Sequence, residues 1–158
     1  MIKLNKEIFK KATIAGIFST FTIGVLTILT YKSTLGFFLA GSFGSSMVLL
    51  FGFPESPFAQ PRNVFFGHLI TALVGIIFVI LIPLPIYISI ALAVGLGIFF
   101  MILFNVVHPP AGGNPVFVII GSVSYDYLFF PIISGCFIII LLAIVINKFV
   151  LKKNYPLK

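Results

Sequence analysis

Two histidines, His68 and His108, are the chain's only imidazoles, and Cys136 is its only thiol. A single thiol excludes an internal disulfide and a multi-thiolate zinc site, so neither metal nor cofactor is expected. His108 opens the run His108-Pro109-Pro110-Ala111-Gly112-Gly113-Asn114-Pro115. Prolines remove backbone donors and hold the residue before them extended. There His108 serves either as a cap or as a donor or proton-linked switch. A second Pro-rich run, Pro54-Glu55-Ser56-Pro57-Phe58-Ala59-Gln60-Pro61-Arg62-Asn63, precedes another helix start. Helix starts present unpaired N–H groups and the positive end of the peptide dipole, so two that meet would hold an anion.

The side chains around these runs suit the same guest. Gly112 and Gly113 let backbone approach a ligand. Arg62 brings fixed donors that match a planar oxyanion, although an arginine at a membrane boundary also reads as a topology anchor. Gln60, Asn63, Asn114, Ser45 and Ser46 add neutral donors. His68, in the second turn of its helix, reads either as a ligand or as a core histidine bonded to a neighbouring helix. No acidic residue lies in any long apolar stretch to repel an anion. The candidate substrate-binding set is therefore Ser45, Ser46, Gln60, Arg62, Asn63, His68, His108, Pro109, Pro110, Gly112, Gly113 and Asn114. No nucleotide-binding loop, carboxylate pair or Ser-His-Asp set is visible, and a histidine without a carboxylate is a poor acid–base apparatus, so an enzyme is not expected.

The elements that must position these residues follow from where charge is missing. Of 158 residues, 60% are hydrophobic and 8% charged, with a mean hydropathy of +1.25. A soluble domain carries about 25% charged residues. Crossing a bilayer core of ~30 Å takes about 20 apolar residues as a helix. Charge-free stretches of that order predict helices near 12–31, 35–53, 63–82, 86–106 and 127–147, with a half-helix between Val116 and Ser124. Barrel strands would alternate polar and apolar residues, and these stretches do not. The fold class is an all-α, polytopic integral membrane bundle of about five long helices plus a half-helix. A single transmembrane domain over 1–158, with no soluble domain, is expected in the cell membrane as a multi-pass protein.

Lys3, Lys6, Lys10 and Lys11 precede the first apolar run, and Lys148, Lys152, Lys153 and Lys158 follow the last. The first run is too long for a signal peptide and has no small-residue cleavage site after it. Both clusters ask for the cytoplasmic side, which needs an even number of crossings, while five segments give an odd one. Either the second segment or the region around 107–124 turns back, or the half-helix belongs to a sixth, broken crossing. A net charge of +7 and a pI near 9.8 can signal nucleic-acid binding, but this charge flanks the apolar runs at both termini, where lipid headgroups account for it. The expected partners are the bilayer, a small inorganic anion and further copies of the chain in a homo-oligomer, and not nucleic acid.

Small residues recur at Gly16, Thr20 and Gly24, at Gly36, Ala40 and Gly44, and at Gly67, Thr71 and Gly75, a spacing that lets helices approach closely. A weak internal repeat aligns Leu39, Ala40, Gly44, Leu50, Phe51 and Pro57 with Leu92, Ala93, Gly97, Leu103, Phe104 and Pro110. Paired, Pro-interrupted segments of this kind point to a transporter's central site.

The ordered segments Gly44-Ser45-Ser46, Ser56 to Asn63 with Gly67-His68, and His108 to Pro115 resemble the HPP family of integral membrane proteins, named for its His-Pro-Pro motif. The resemblance covers most of the chain. Family members in chloroplasts and cyanobacteria are associated with nitrite transport, so it implies a small permease or channel for nitrite or a similar anion. The alternative is a membrane subunit or scaffold that moves nothing. Many bacterial relatives carry a regulatory CBS pair after the membrane part, which this sequence does not include. The family is usually described with four spanning helices.

Overall fold

The computed structural model describes residues 5–157; Lys3 and Lys158 lie outside the described residues. Helix α1 (Lys6–Lys32) opens on Asn5, whose side chain accepts from the Glu7 N–H at 3.1 Å. Glu7 in the first turn and Lys32 in the last complement the helix dipole, whereas Lys6, Lys10 and Lys11 at its start oppose it. Three further helical stretches are long and apolar enough to cross a membrane: α3 (Pro61–Leu81), α4 (Ile86–Leu103) and the span Leu128–Val150 around α6 (Ser134–Ile144). Pro83 and Pro85 separate α3 from α4, and Pro61 opens α3 at a position whose N–H would be unpaired anyway.

Between these lie two crossings that are broken halfway. In the first, residues 33–40 are extended and α2 (Gly41–Met47) follows, continuing as a π-helical turn at Val48–Gly52. The continuous helix expected over 35–53 is therefore replaced by an arm and a half-helix. Gly36 takes φ 129°, which an L side chain rarely adopts, and the Phe130 ring stands 3.1 Å from where its Cβ would be. The arm's backbone finds a side-chain partner in α1, where Thr30 Oγ1 accepts from the Phe38 N–H at 3.0 Å. Backbone groups without helical partners need such a substitute at membrane depth.

The second broken crossing begins where α4 stops. Asn105 at φ 54° ends that helix, and the Val106 N–H reaches back to the Met101 carbonyl at 2.9 Å. Extended chain to His108, a tight turn at Pro109–Gly113 and helix α5 (Asn114–Ile120) then run alongside α3 from one end to the other. The contacts trace this course. Arg62 bonds the Phe104 carbonyl, Asn63 the Val107 carbonyl, and Asn114 the His68 carbonyl. Gly75 packs on Pro115 and Val118, and Ile82 lines a cavity with Ile119 and Ser122.

Four long helical spans and two broken ones make six crossings, so the charge parity closes. Lys11 stacks on Phe53 at 4.0 Å, and Asn147 donates to the Leu50 carbonyl at 2.9 Å, so both termini lie at one end of the bundle. Lys6, Lys10, Lys11, Arg62, Lys148, Lys152 and Lys153 share that end, which the positive-inside rule makes cytoplasmic. Lys32 and Asp126 lie at the other. Each half of the chain has the order long helix, broken crossing, long helix, and the two halves run in opposite directions through the bilayer. This inverted repeat is distinct from the sequence repeat, whose paired segments 39–51 and 92–104 both run toward the cytoplasmic end.

The core gathers Phe43, Met47, Phe51, Ile76, Ile132 and Ile139, all fully or almost fully buried. The small-residue stripes divide. The Gly67 and Gly75 stripe is in tight contact with the second broken crossing, whereas nothing comes within 4 Å of the Cβ position at Gly16, Gly24 or Gly44. Gly24 and Gly44 border an open groove between α1 and α2, with a cavity of about 710 Å³ lined by Ser19, Thr20, Thr27 and Met47 among others, and Gly16 borders a neighbouring one.

Candidate functional site

The two half-helices begin beside each other in the middle of the bundle. The Ser42 hydroxyl, in the first turn of α2, donates to Asn114 Oδ1 at 2.6 Å, and Asn114 opens α5. The Asn114 amide group lies 3.0 Å from His68 Nδ1, 3.0 Å from Thr71 Oγ1 and 3.2 Å from the His68 carbonyl. Four residues along α2 from Ser42, on the same helical face, Ser46 Oγ stands 3.0 Å from His68 Nε2 and 2.9 Å from His108 Nε2. His108 Nδ1 lies 2.7 Å from the Phe58 carbonyl. Ser46, His68, Thr71, His108 and Asn114 are each 0% exposed and Ser42 is 3% exposed.

The donor inventory fixes where the hydrogens lie. A carbonyl only accepts, so His108 Nδ1 carries a hydrogen, and in the neutral ring Nε2 is then a bare acceptor. The Ser46 hydroxyl donates to it, and the Ser46 oxygen accepts from His68 Nε2–H. His68 Nδ1 is left to accept from the Asn114 amide. Thr71 donates to the Gly67 carbonyl at 2.8 Å. Every member has a partner, as a buried polar network requires. Among the described residues no cluster of three metal-ligating side chains occurs, and no carboxylate bonds to this network.

Local sequence explains the close fit. A methyl at Gly67 would stand 2.8 Å from His108 Cβ and 3.2 Å from the Val106 carbonyl, so the extended chain before the His-Pro-Pro turn lies directly on α3. At Gly97 of α4 a methyl would come 3.2 Å from Thr71 Cγ2. The Phe43 ring meets His68 edge-on, with centroids 5.1 Å apart, and Phe117 covers Gly41. The site is closed.

Of the residues proposed from sequence, Ser46, His68, His108 and Asn114 come together in this network. Pro109 and Pro110 form the turn beside it, Ala111 N–H bonds the His108 carbonyl at 2.9 Å, and Gly112 and Gly113 lead into α5, both half-buried. Asn63 ties α3 to the Val107 carbonyl at 2.9 Å, one residue from His108. Others lie apart. Ser45 is exposed, as is Arg62, which bonds the Phe104 carbonyl at the cytoplasmic mouth. Gln60 clasps the Pro54 and Ser56 carbonyls and accepts from the Leu157 N–H. That clasp is completed by Tyr155, whose hydroxyl donates to the Ala59 carbonyl at 2.8 Å; burial raises its pKa, so it stays a neutral donor. Ser42 and Thr71 were absent from the sequence set. Their signal was spacing: Ser42 lies one turn before Ser46, and Thr71 sits within the Gly67 and Gly75 stripe.

Comparison with known proteins bears on the whole bundle. A family model described as HPP, transmembrane region, matches residues 5–156. A transmembrane protein of Dictyostelium discoideum is 37% identical over 143 residues, which cover 84% of this chain and 50% of the relative. A second from the same organism is 38% identical over 142 residues, or 84% of this chain and 46% of the relative. The chain thus spans about half the length of these curated relatives. No solved structure matches it. With a closed polar network at the meeting of two broken crossings, and a family match over almost its whole length, this chain belongs to the HPP transmembrane family.

Proposed function

We propose that the protein is a small permease for nitrite or a similar small monovalent anion, which binds where α2, α3, α5 and the His108–Gly113 turn meet. The observation that carries this reading is the burial of Ser42, Ser46, His68, Thr71, His108 and Asn114 together, halfway along an otherwise apolar bundle. Polar side chains at that depth are costly and mark pathways in membrane proteins. Discontinuous helices meeting near the midplane between inverted repeats are where transporters of this architecture bind their substrates. Hydroxyl, amide and imidazole donors without a carboxylate favour an anion over a cation. Arg62 and the lysines at the cytoplasmic end raise the local concentration of anions at that mouth.

Entry requires the closed network to part, and the junction of Gly41 with Phe117 is where α2 and α5 would separate. The competing reading, a membrane subunit that transports nothing, draws on the mutual satisfaction of the network's hydrogen bonds. Liposome uptake of labelled nitrite separates the two. The permease gives protein-dependent entry and the subunit gives none.

A further inference from the structure

His68, Ser46 and His108 form a chain of exchangeable hydrogens, with Ser42 flanking it at 3.3 Å from Ser46 and 3.4 Å from His68. It links the half-helix starts, where Asn114 meets His68 Nδ1 at 3.0 Å, to the cytoplasmic loop, where His108 Nδ1 meets the Phe58 carbonyl at 2.7 Å. The two internal links are 3.0 and 2.9 Å, short enough for direct transfer. Phe58, in that far loop, is 40% exposed, while the imidazole that donates to its carbonyl is fully buried.

From this geometry we propose that His68, Ser46 and His108 are a proton relay, and that the substrate is a small weak acid which crosses together with its proton. The inference rests on the permease reading above and names its substrate class. The transfers balance. The bound acid gives its proton to His68 Nδ1 as the Asn114 amide swings aside. His68 passes its Nε2 hydrogen to Ser46 Oγ, and Ser46 passes its own to His108 Nε2. The acid becomes its anion, His68 ends neutral with the hydrogen on Nδ1, and His108 becomes an imidazolium that holds the charge one ring away, with 5.0 Å between the two ring centroids. Reversing the steps returns the proton and regenerates the neutral acid.

The surroundings support a mobile proton rather than a fixed charge. Against the pair, α2 presents Ser42, Phe43 and Ser46; α3 presents Gly67 and Thr71; the 57–59 turn presents the Phe58 carbonyl; and the second broken crossing presents Asn114. The two histidines, with ring centroids 5.0 Å apart, are the titratable groups of this cluster. Arg62, the charged side chain of α3, is engaged with the Phe104 carbonyl at the mouth. An anion without its proton would therefore meet no permanent cation in the middle of the bundle. An acid that surrenders its proton to the relay makes its own counter-charge.

The test uses purified full-length protein in liposomes with an internal pH dye. Nitrite and formate are compared with nitrate and thiocyanate, whose acids are too strong to carry a proton, and rates are read above protein-free liposomes. Nitrite and formate should enter with one proton each and without response to an imposed membrane potential, at least about tenfold faster than the strong-acid anions. Ser46→Ala should slow entry at least about tenfold while its detergent elution and melting temperature stay near wild type, and Ser46→Thr should restore it. Wild-type stoichiometry and selectivity stand even if Ser46→Ala misfolds. Voltage-driven entry of nitrite without internal acidification, or a folded Ser46→Ala with unchanged rate and stoichiometry, overturns the relay and leaves the permease. Absence of protein-dependent entry for every anion overturns both.

Discussion

At the scale of single residues, Asn114 is the joint of the site. It accepts from Ser42 on one half-helix and donates to His68 and Thr71 on α3, all buried. Removing its amide leaves the Ser42 hydroxyl and His68 Nδ1 with only their long 3.4 Å contact to each other at membrane depth, and Thr71 without its incoming donor. An unsatisfied buried polar group costs about 1–3 kcal/mol. Asn114→Ala should therefore lower the melting temperature in detergent clearly. A melting temperature equal to wild type would mean that the network is not the buried unit described here. Thr22, whose hydroxyl is buried without a partner, is a contrasting case, because Thr22→Val should be neutral or stabilising there.

At the scale of elements, close approach of the second broken crossing to α3 depends on missing side chains. Gly67→Ala would force a methyl against His108 Cβ and the Val106 carbonyl, and overpacking of this kind costs about 1–3 kcal/mol. Gly95→Ala on α4 meets nothing within 4 Å and should leave stability unchanged. Thermal unfolding of the two variants side by side checks the packing, because equal behaviour would contradict it. The sequence made four of these elements readable, since a charge-free run near 20 residues in lipid must pair its backbone within itself, which a helix does, although the last is kinked at Phe130-Pro131 near its start. It misread 35–53, because hydropathy reports burial in oil and not whether backbone is helical or extended. Gly36 and Thr30, which make the extended arm possible, are ordinary residues for a membrane helix. The buried network was legible where backbone chemistry marks it, at His108 to Asn114. It was not legible where a side chain's role depends on a neighbour across the bundle, which is why Ser42 and Thr71 were missed and exposed Arg62 was included.

At the scale of the whole molecule, two inverted halves bring two half-helix starts to one point and return both termini to the lysine-rich end. In a cysteine-free background, with Cys136→Ser, single cysteines at Ser33, Leu84 and Asp126 should react with an impermeant maleimide from the far side. Cysteines at Glu55 and Lys152 should react only from the cytoplasmic side. Ser33 and Glu55 labelling from the same face would undo the first broken crossing, and the six-crossing fold with it. A permease needs the polar junction to be a passage. The most direct measurement is entry of isotope-labelled nitrite into liposomes carrying the wild-type protein or Asn114→Asp, which keeps the shape of the side chain but sets a carboxylate at the junction. Protein-dependent entry that falls at least about tenfold in the variant is predicted, since a carboxyl, ionised or protonated, cannot supply both hydrogens that the amide gives to His68 and Thr71. Entry that is equal in both proteins, or no greater than through protein-free membranes, would contradict it.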